Sequence, residues 1–184
     1  MKLRVYIILL MLVFVLGACK NNNLTKEKIS QLEKEEIYPE PAGMLESEYE
    51  KLKDIINDSK TIVKASAISN KKIVLDGYPQ IHTNVTIKDV LKGDLTKGDN
   101  ITIVEEAGSD GKVVGEIPIL SSNNDYFLFL KEYKNNYYIV GAFQGRFIVK
   151  ENYVFQQTSE NIKLEDYSPM DYNDFKNLII SNLK

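Results

Sequence analysis

Residues 80–91 read Gln80-Ile81-His82-Thr83-Asn84-Val85-Thr86-Ile87-Lys88-Asp89-Val90-Leu91, and the order of apolar and polar side chains in this stretch decides the fold class. Ile81, Val85, Ile87 and Leu91 fall on one face of an extended chain, and His82, Asn84, Thr86 and Lys88 on the other. A period of two belongs to a strand with one buried and one wet side. Downstream, turns at Lys92-Gly93-Asp94 and Lys97-Gly98-Asp99 lead into residues 100–105 (NITIVE), so the two segments read as a hairpin with a longer loop. Upstream, residues 61–68 (TIVKASAI) form a strand candidate and residues 71–75 (KKIVL) a weaker one.

The same reading extends toward the carboxyl end. After an irregular stretch at 107–115, residues 125–131 (DYFLFLK) are apolar at successive positions, as expected of a central strand covered on both faces. Lys134-Asn135-Asn136 then turns the chain into residues 137–142, followed by 146–150 and 153–156, with Gly145 and Glu151-Asn152 as breaks. Short strands separated by regular turn signals predict a small barrel or sandwich. Two helices flank it. Leu45, Tyr49, Leu52, Ile55 and Ile56 recur at helical spacing within 43–59, and a second helix is expected to start at Ser168 as cap with Pro169 in its first turn. Phe175, Leu178, Ile179 and Leu183 supply the apolar stripe of that second helix. The expected fold class is therefore mainly β with flanking helices (α+β), a single domain over 43–184.

Composition agrees with one globular domain and narrows its chemistry. The chain has 184 residues, 43% of them hydrophobic and 27% charged, values that support a packed core. With 23 basic against 26 acidic residues there is no basic excess, so nucleic acid is not an expected partner. One cysteine forbids a disulfide within the chain, and one histidine leaves little for a metal centre or a histidine relay. No cofactor and no metal are expected.

The amino terminus gives an address. Lys2 and Arg4 precede residues 5–18, an uncharged run of the length of a secretory core and too short for a bilayer of about 30 Å. The run ends in Leu16-Gly17-Ala18-Cys19, which resembles the lipobox of bacterial lipoprotein signal peptides. The resemblance implies a signal peptide over 1–18, cleavage between Ala18 and Cys19, a diacylglycerol thioether on Cys19 with palmitate-type acyl chains, and a place on the extracytoplasmic face of the cell membrane. Two acyl chains anchor stably where one gives only reversible attachment. Loss of Lys2 and Arg4 with the leader leaves 21 basic against 26 acidic residues, net −5, so lipid rather than charge is expected to hold the protein there. Residues 19–42, rich in Asn, Lys and Glu, read as a lipidated flexible tether, its 22 residues from 20 to 41 spanning on the order of 25 Å. Leu24, Ile29 and Leu32 are placed to make a short helix within it.

A second resemblance concerns the body. Val90-Leu91-Lys92-Gly93, the strand ITIV after Gly98-Asp99, Tyr126-Phe127-Leu128-Phe129-Leu130, and Gly141 with Gln144-Gly145-Arg146-Phe147 together resemble uncharacterised bacterial extracellular domains close to the OB-like barrels of netrin-type modules. That implies an OB-like antiparallel barrel and transfers no catalytic residue. Among the residues themselves, the tyrosine-rich later strands offer rigid faces with polar tips. Tyr126, Tyr138 and Arg146 are the candidate ligand contacts. His82 reads as a solvated strand histidine. The expected function is a non-enzymatic, membrane-anchored binding module for an extracellular protein, peptide or envelope component. Its rivals are an envelope hydrolase pairing Glu105 or Glu106 with Asp110, and an immunity or inhibitor lipoprotein.

Overall fold

The computed structural model describes residues 24–39, 48–107 and 117–183; the leader, Cys19 and Asp110 lie outside them. Elements follow in the order α1 (Lys26–Glu35), β1 (Ile37–Tyr38), α2 (Leu52–Asp58), β2 (Thr61–Leu75), β3 (Tyr78–Lys92), β4 (Asn100–Glu106), β5 (Asp125–Tyr133), β6 (Asn136–Ile139), β7 (Arg146–Lys150), β8 (Tyr153–Gln156), β9 (Thr158–Ser159), β10 (Met170–Asp171) and α3 (Tyr172–Asn182). The chain is mainly β with flanking helices, as the strand periods require.

β2, β3 and β4 form an antiparallel meander, β5 and β6 a hairpin, β5 returns antiparallel to β2, and β6 lies parallel to β4. The pairings thus run in a circuit β2-β3-β4-β6-β5-β2, the strand order of an OB-like barrel, with the β4–β6 link resting on the single pair Ile103↔Tyr137. Three register shifts in the β2–β3 pair supply the bends that let a sheet curl. β5 is central because both its edges are used. One pairs with β2; the other is shared between β7 over Asp125–Leu128 and β6 over Leu130–Tyr133. β8 and β10 extend the sheet beyond β7.

Successive residues of β5 serve two cores. Tyr126, Leu128 and Leu130 point into the strand circuit with Val63, Val85, Ile87 and Ile103. Phe127 and Phe129 point outward to Phe147 and Phe175, under α2 and α3. Phe175 meets Phe127 and Phe147 with ring centroids 5.0 Å apart in each case, near the favoured range for aromatic contacts. This is the physical content of an unbroken apolar run.

The flanks differ from the sequence reading in three places. Leu52 begins α2, and the preceding described residues, with Tyr49 among them, are not helical; the Gln144 side chain holds the Tyr49 backbone, accepting its N–H at 2.9 Å and donating to its carbonyl at 2.8 Å. Asp171, not Ser168, caps α3, because Met170–Asp171 is drawn into the sheet beside β8 and the Asp171 carboxylate accepts the Asn173 N–H at 2.8 Å. Finally, residues 24–38, read as tether, fold onto the domain. Leu32 is buried in the circuit core with Leu24 and Ile29 packed beside it, and β1 pairs in parallel with β9. Ile29 and Leu32, at helical spacing in α1, and Leu24 just before it outweigh the polar composition around them.

Candidate functional site

Two places stand apart from ordinary packing: a charged group inside the domain and an apolar arm outside it. The first centres on Arg146, which is fully buried at the start of β7. Its Nε donates to Gln157 Oε1 at 2.7 Å, Nη1 to Glu105 Oε1 at 2.9 Å and Nη2 to the Pro118 carbonyl at 2.5 Å. The Tyr126 ring lies against the guanidinium, 5.7 Å from its carbon. A buried guanidinium needs this number of acceptors, since leaving it unpaired costs several kcal/mol. The network continues outward: Gln157 Nε2 donates to Glu36, which also accepts from the Tyr38 hydroxyl at 3.2 Å and pairs with Lys150. Burial and the Glu36 carboxylate both push the Tyr38 hydroxyl up. Burial alone would depress Lys150, but Glu36 and Glu35 outweigh it and hold the ammonium above its ordinary value.

Glu105 is the tensest member. Burial pushes its carboxyl up against the pull of Arg146, and Oε2 has no hydrogen-bond partner. Strand geometry explains its position. Ile101, Ile103 and Glu105 share the inward face of β4, while Glu106 turns outward and is exposed. Adjacent strand residues cannot present their carboxylates to one bond, and Asp110 lies outside the described residues. The expected pairing of Glu105 or Glu106 with Asp110 thus falls outside the described residues.

The candidate ligand contacts are redistributed by this geometry. Arg146 and Tyr126 are 0% and 1% exposed, and the Tyr126 hydroxyl accepts the Ser121 N–H at 2.9 Å. Both act as internal struts: they tie β7 and β5 to β4, to the Pro118–Ser121 segment and, through Gln157, to the amino-terminal segment. Of the three, only Tyr138 reaches solvent, half-buried on β6 opposite Lys131. His82 is half-buried on β3 with Nε2 3.1 Å from Gln80 Oε1. Among the described residues no three His, Cys, Asp or Glu side chains converge as metal ligands.

The second place is the end of the β2–β3 hairpin. Asp76 and Gly77, at φ 52° and 85°, make the two-residue turn with both central residues left-handed that suits the twist of a hairpin. β2 pairs with β5 only as far as Ser66↔Asp125; beyond that its one strand partner is β3, which carries it to Leu75↔Tyr78. The result is a projecting two-stranded arm. Ile68, Val74, Leu75 and Tyr78 are 54%, 65%, 55% and 73% exposed, four of the six large apolar side chains that stand out among the described residues. A shallow groove runs from Leu75 and Tyr78 along Pro79 to Glu106 and Ala107. The signal for this arm was the dipeptide Asp76-Gly77 between two β-prone runs; with 71–75 read as a separate weak strand, the arm stayed hidden. No known protein family matches the chain, and no curated protein is found to be similar to it.

Proposed function

We propose that this chain is a bacterial lipoprotein, carried on the extracytoplasmic face of the cell membrane by lipid on Cys19, whose domain is a non-enzymatic binding module with the β2–β3 arm as its contact element. The arm is the observation that supports binding. Single exposed apolar residues are ordinary, but a cluster on one projecting element marks a surface used for association. Val74, Leu75 and Tyr78 sit together at its end, where neither core shields them. An extracellular protein, a peptide or an envelope component is the class of partner. The lipobox resemblance at Leu16-Gly17-Ala18-Cys19 supports the placement, and among the described residues no helix is long and apolar enough to cross a membrane.

Two measurements test the two halves. Full-length protein expressed in a bacterial host with labelled palmitate should carry the label in the membrane fraction, and Cys19→Ser should lose both label and membrane retention. Label unaffected by Cys19→Ser removes the anchor. Chemical cross-linking in intact cells should give a partner set that shrinks with Leu75→Asp and Tyr78→Asp; an unchanged set removes the arm as contact element.

A further inference from the structure

Among the described residues, the arm leaves backbone as well as side chains exposed. Val74 stands opposite Pro79, whose nitrogen carries no hydrogen and whose carbonyl accepts the Ala107 N–H at 3.0 Å. The Pro79 backbone therefore faces β4, and Val74↔Pro79 is a non-hydrogen-bonded pair of the β2–β3 ladder. Because such pairs alternate along an antiparallel ladder, Lys72↔Ile81 is another. The N–H and C=O groups of Lys72 and Val74 then point away from β3, to the open edge of β2. On that edge the pairing with β5 ends at Ser66, the backbone bonds of its approach segment end at Ala67, through Asn123 and Asn124, and the last contact is the Asn70 side chain donating to the Leu120 carbonyl at 3.1 Å. Among the described residues no backbone group answers Lys72 or Val74.

We propose that this free edge accepts an added β-strand, an extended acidic segment of a partner protein that pairs with β2 along Lys72 and Val74. The inference rests on the reading of the arm as the contact element and names what it contacts. An open edge with apolar flanks is a template for strand addition, in which main-chain bonds give affinity and side chains give choice. The side chains disfavour a second copy of this chain in the register centred on Lys72, where antiparallel self-pairing sets the Lys72 ammonium directly opposite that of the copy, and like charges directly opposite destabilise a pair. They favour carboxylates instead. Lys71 and Lys72 are exposed, make no ion pair among the described residues, and lie on opposite faces of the ribbon, so two consecutive acidic residues of an incoming strand meet one lysine each. Ile73, Leu75 and Tyr78 flank Lys71 on its face, and Val74 flanks Lys72, which adds apolar neighbours for the residues beside those acids. Among the described residues, Asp76 in the turn and Glu106 on β4 beyond β3 sit off this edge.

The test uses the full chain in detergent micelles and hydrogen exchange read by mass spectrometry over residues 68–75. The probe is a short blocked peptide of alternating threonine and valine with two central glutamates; its control carries two central lysines. The glutamate peptide should slow exchange in this stretch and bind roughly tenfold more tightly than the lysine peptide, from two cross-strand pairs changing sign. Lys71→Glu with Lys72→Glu should reverse that preference. Val74→Pro should abolish the added protection, because it removes an edge N–H and no bond to β3. Equal binding of the two peptides, no protection by either, or slow exchange of this stretch in the free chain overturns the proposal. If Leu75→Asp and Tyr78→Asp reduce cellular cross-linking while Val74→Pro does not, the arm still binds through its side chains and strand addition alone is refuted.

Discussion

Replacing Arg146 by methionine should be among the most damaging single changes available to this domain. Methionine keeps an unbranched stem and removes the charge, leaving the Glu105 carboxyl buried without its counterion and the Gln157 Oε1 and Pro118 carbonyl without donors. Breaking a buried ion pair from one side costs about 3–5 kcal/mol. A domain of this size shifts by roughly 2–4 °C per kcal/mol, so the thermal midpoint should fall by about 10–15 °C. Thermal and urea unfolding followed by circular dichroism read this directly. The informative comparison is Glu105→Leu together with Arg146→Met. Removing both charges leaves only the two orphaned acceptors as penalty, about 1–3 kcal/mol each at most, so the double variant should be more stable than Arg146→Met alone. The pair also sets a pH signature. A carboxyl raised by burial contributes stability that is complete below the ordinary carboxylate range and is lost as pH rises through its folded value, and the double variant should lack that decline. An Arg146→Met cost below about 1 kcal/mol, or a double variant less stable than the single, would refute the reasoning that the guanidinium is sequestered and held by Glu105.

Asp125 has the opposite sign. Burial alone would raise it, but the Lys64 ammonium at 2.8 Å and the Ser66 hydroxyl outweigh that and hold the carboxyl below its usual range. Its contribution is present above the unfolded value near 4 and lost as pH falls through the folded one, so Asp125→Asn should flatten the acid limb of a Tm-against-pH curve. Gly93 sits at φ +96°, and a Cβ there would lie 2.8 Å from Thr61 Oγ1 and 3.1 Å from the Lys60 carbonyl; Gly93→Ala should cost about 2 kcal/mol in urea unfolding. Gln144→Leu should cost about 2–3 kcal/mol, since it strands the Tyr49 backbone groups and the Ile162 carbonyl, and should raise proteolysis in the segment before α2.

Strand residues were legible where one rule governed them. The alternation of residues 80–91 and the unbroken apolar run of 125–131 each dictate a side-chain environment; β3 obeys it through Ile81, Val85 and Ile87, after which the register shift between Lys64 and Ala65 turns Leu91 to the helix-side core instead, and β5 sets its phenylalanines and leucines on opposite cores. Residues 146–150 and 153–156 match β7 and β8 end to end. What escaped depended on distant partners. Nothing local to Ser168 or Asp171 announces that β8 claims Met170, and nothing local to Leu32 shows that its burial site is completed by Ile148 and Phe155. An arginine flanked by glycine and phenylalanine reads as a surface residue, and the burial of Arg146 is intelligible only beside Glu105, 41 positions earlier. The inward placement of Glu105 follows from the period of Ile101 and Ile103 continued by one step.

The docking of α1 has a consequence for reach. With Leu24 already packed against the circuit core, five peptide steps separate Cys19 from folded structure, a span of at most ~18 Å even when drawn straight. Under the proposed anchoring at Cys19, a domain on so short a leash would hug the bilayer surface and have few ways to tumble. A partner of the arm would then have to come down to the lipid headgroups to be caught.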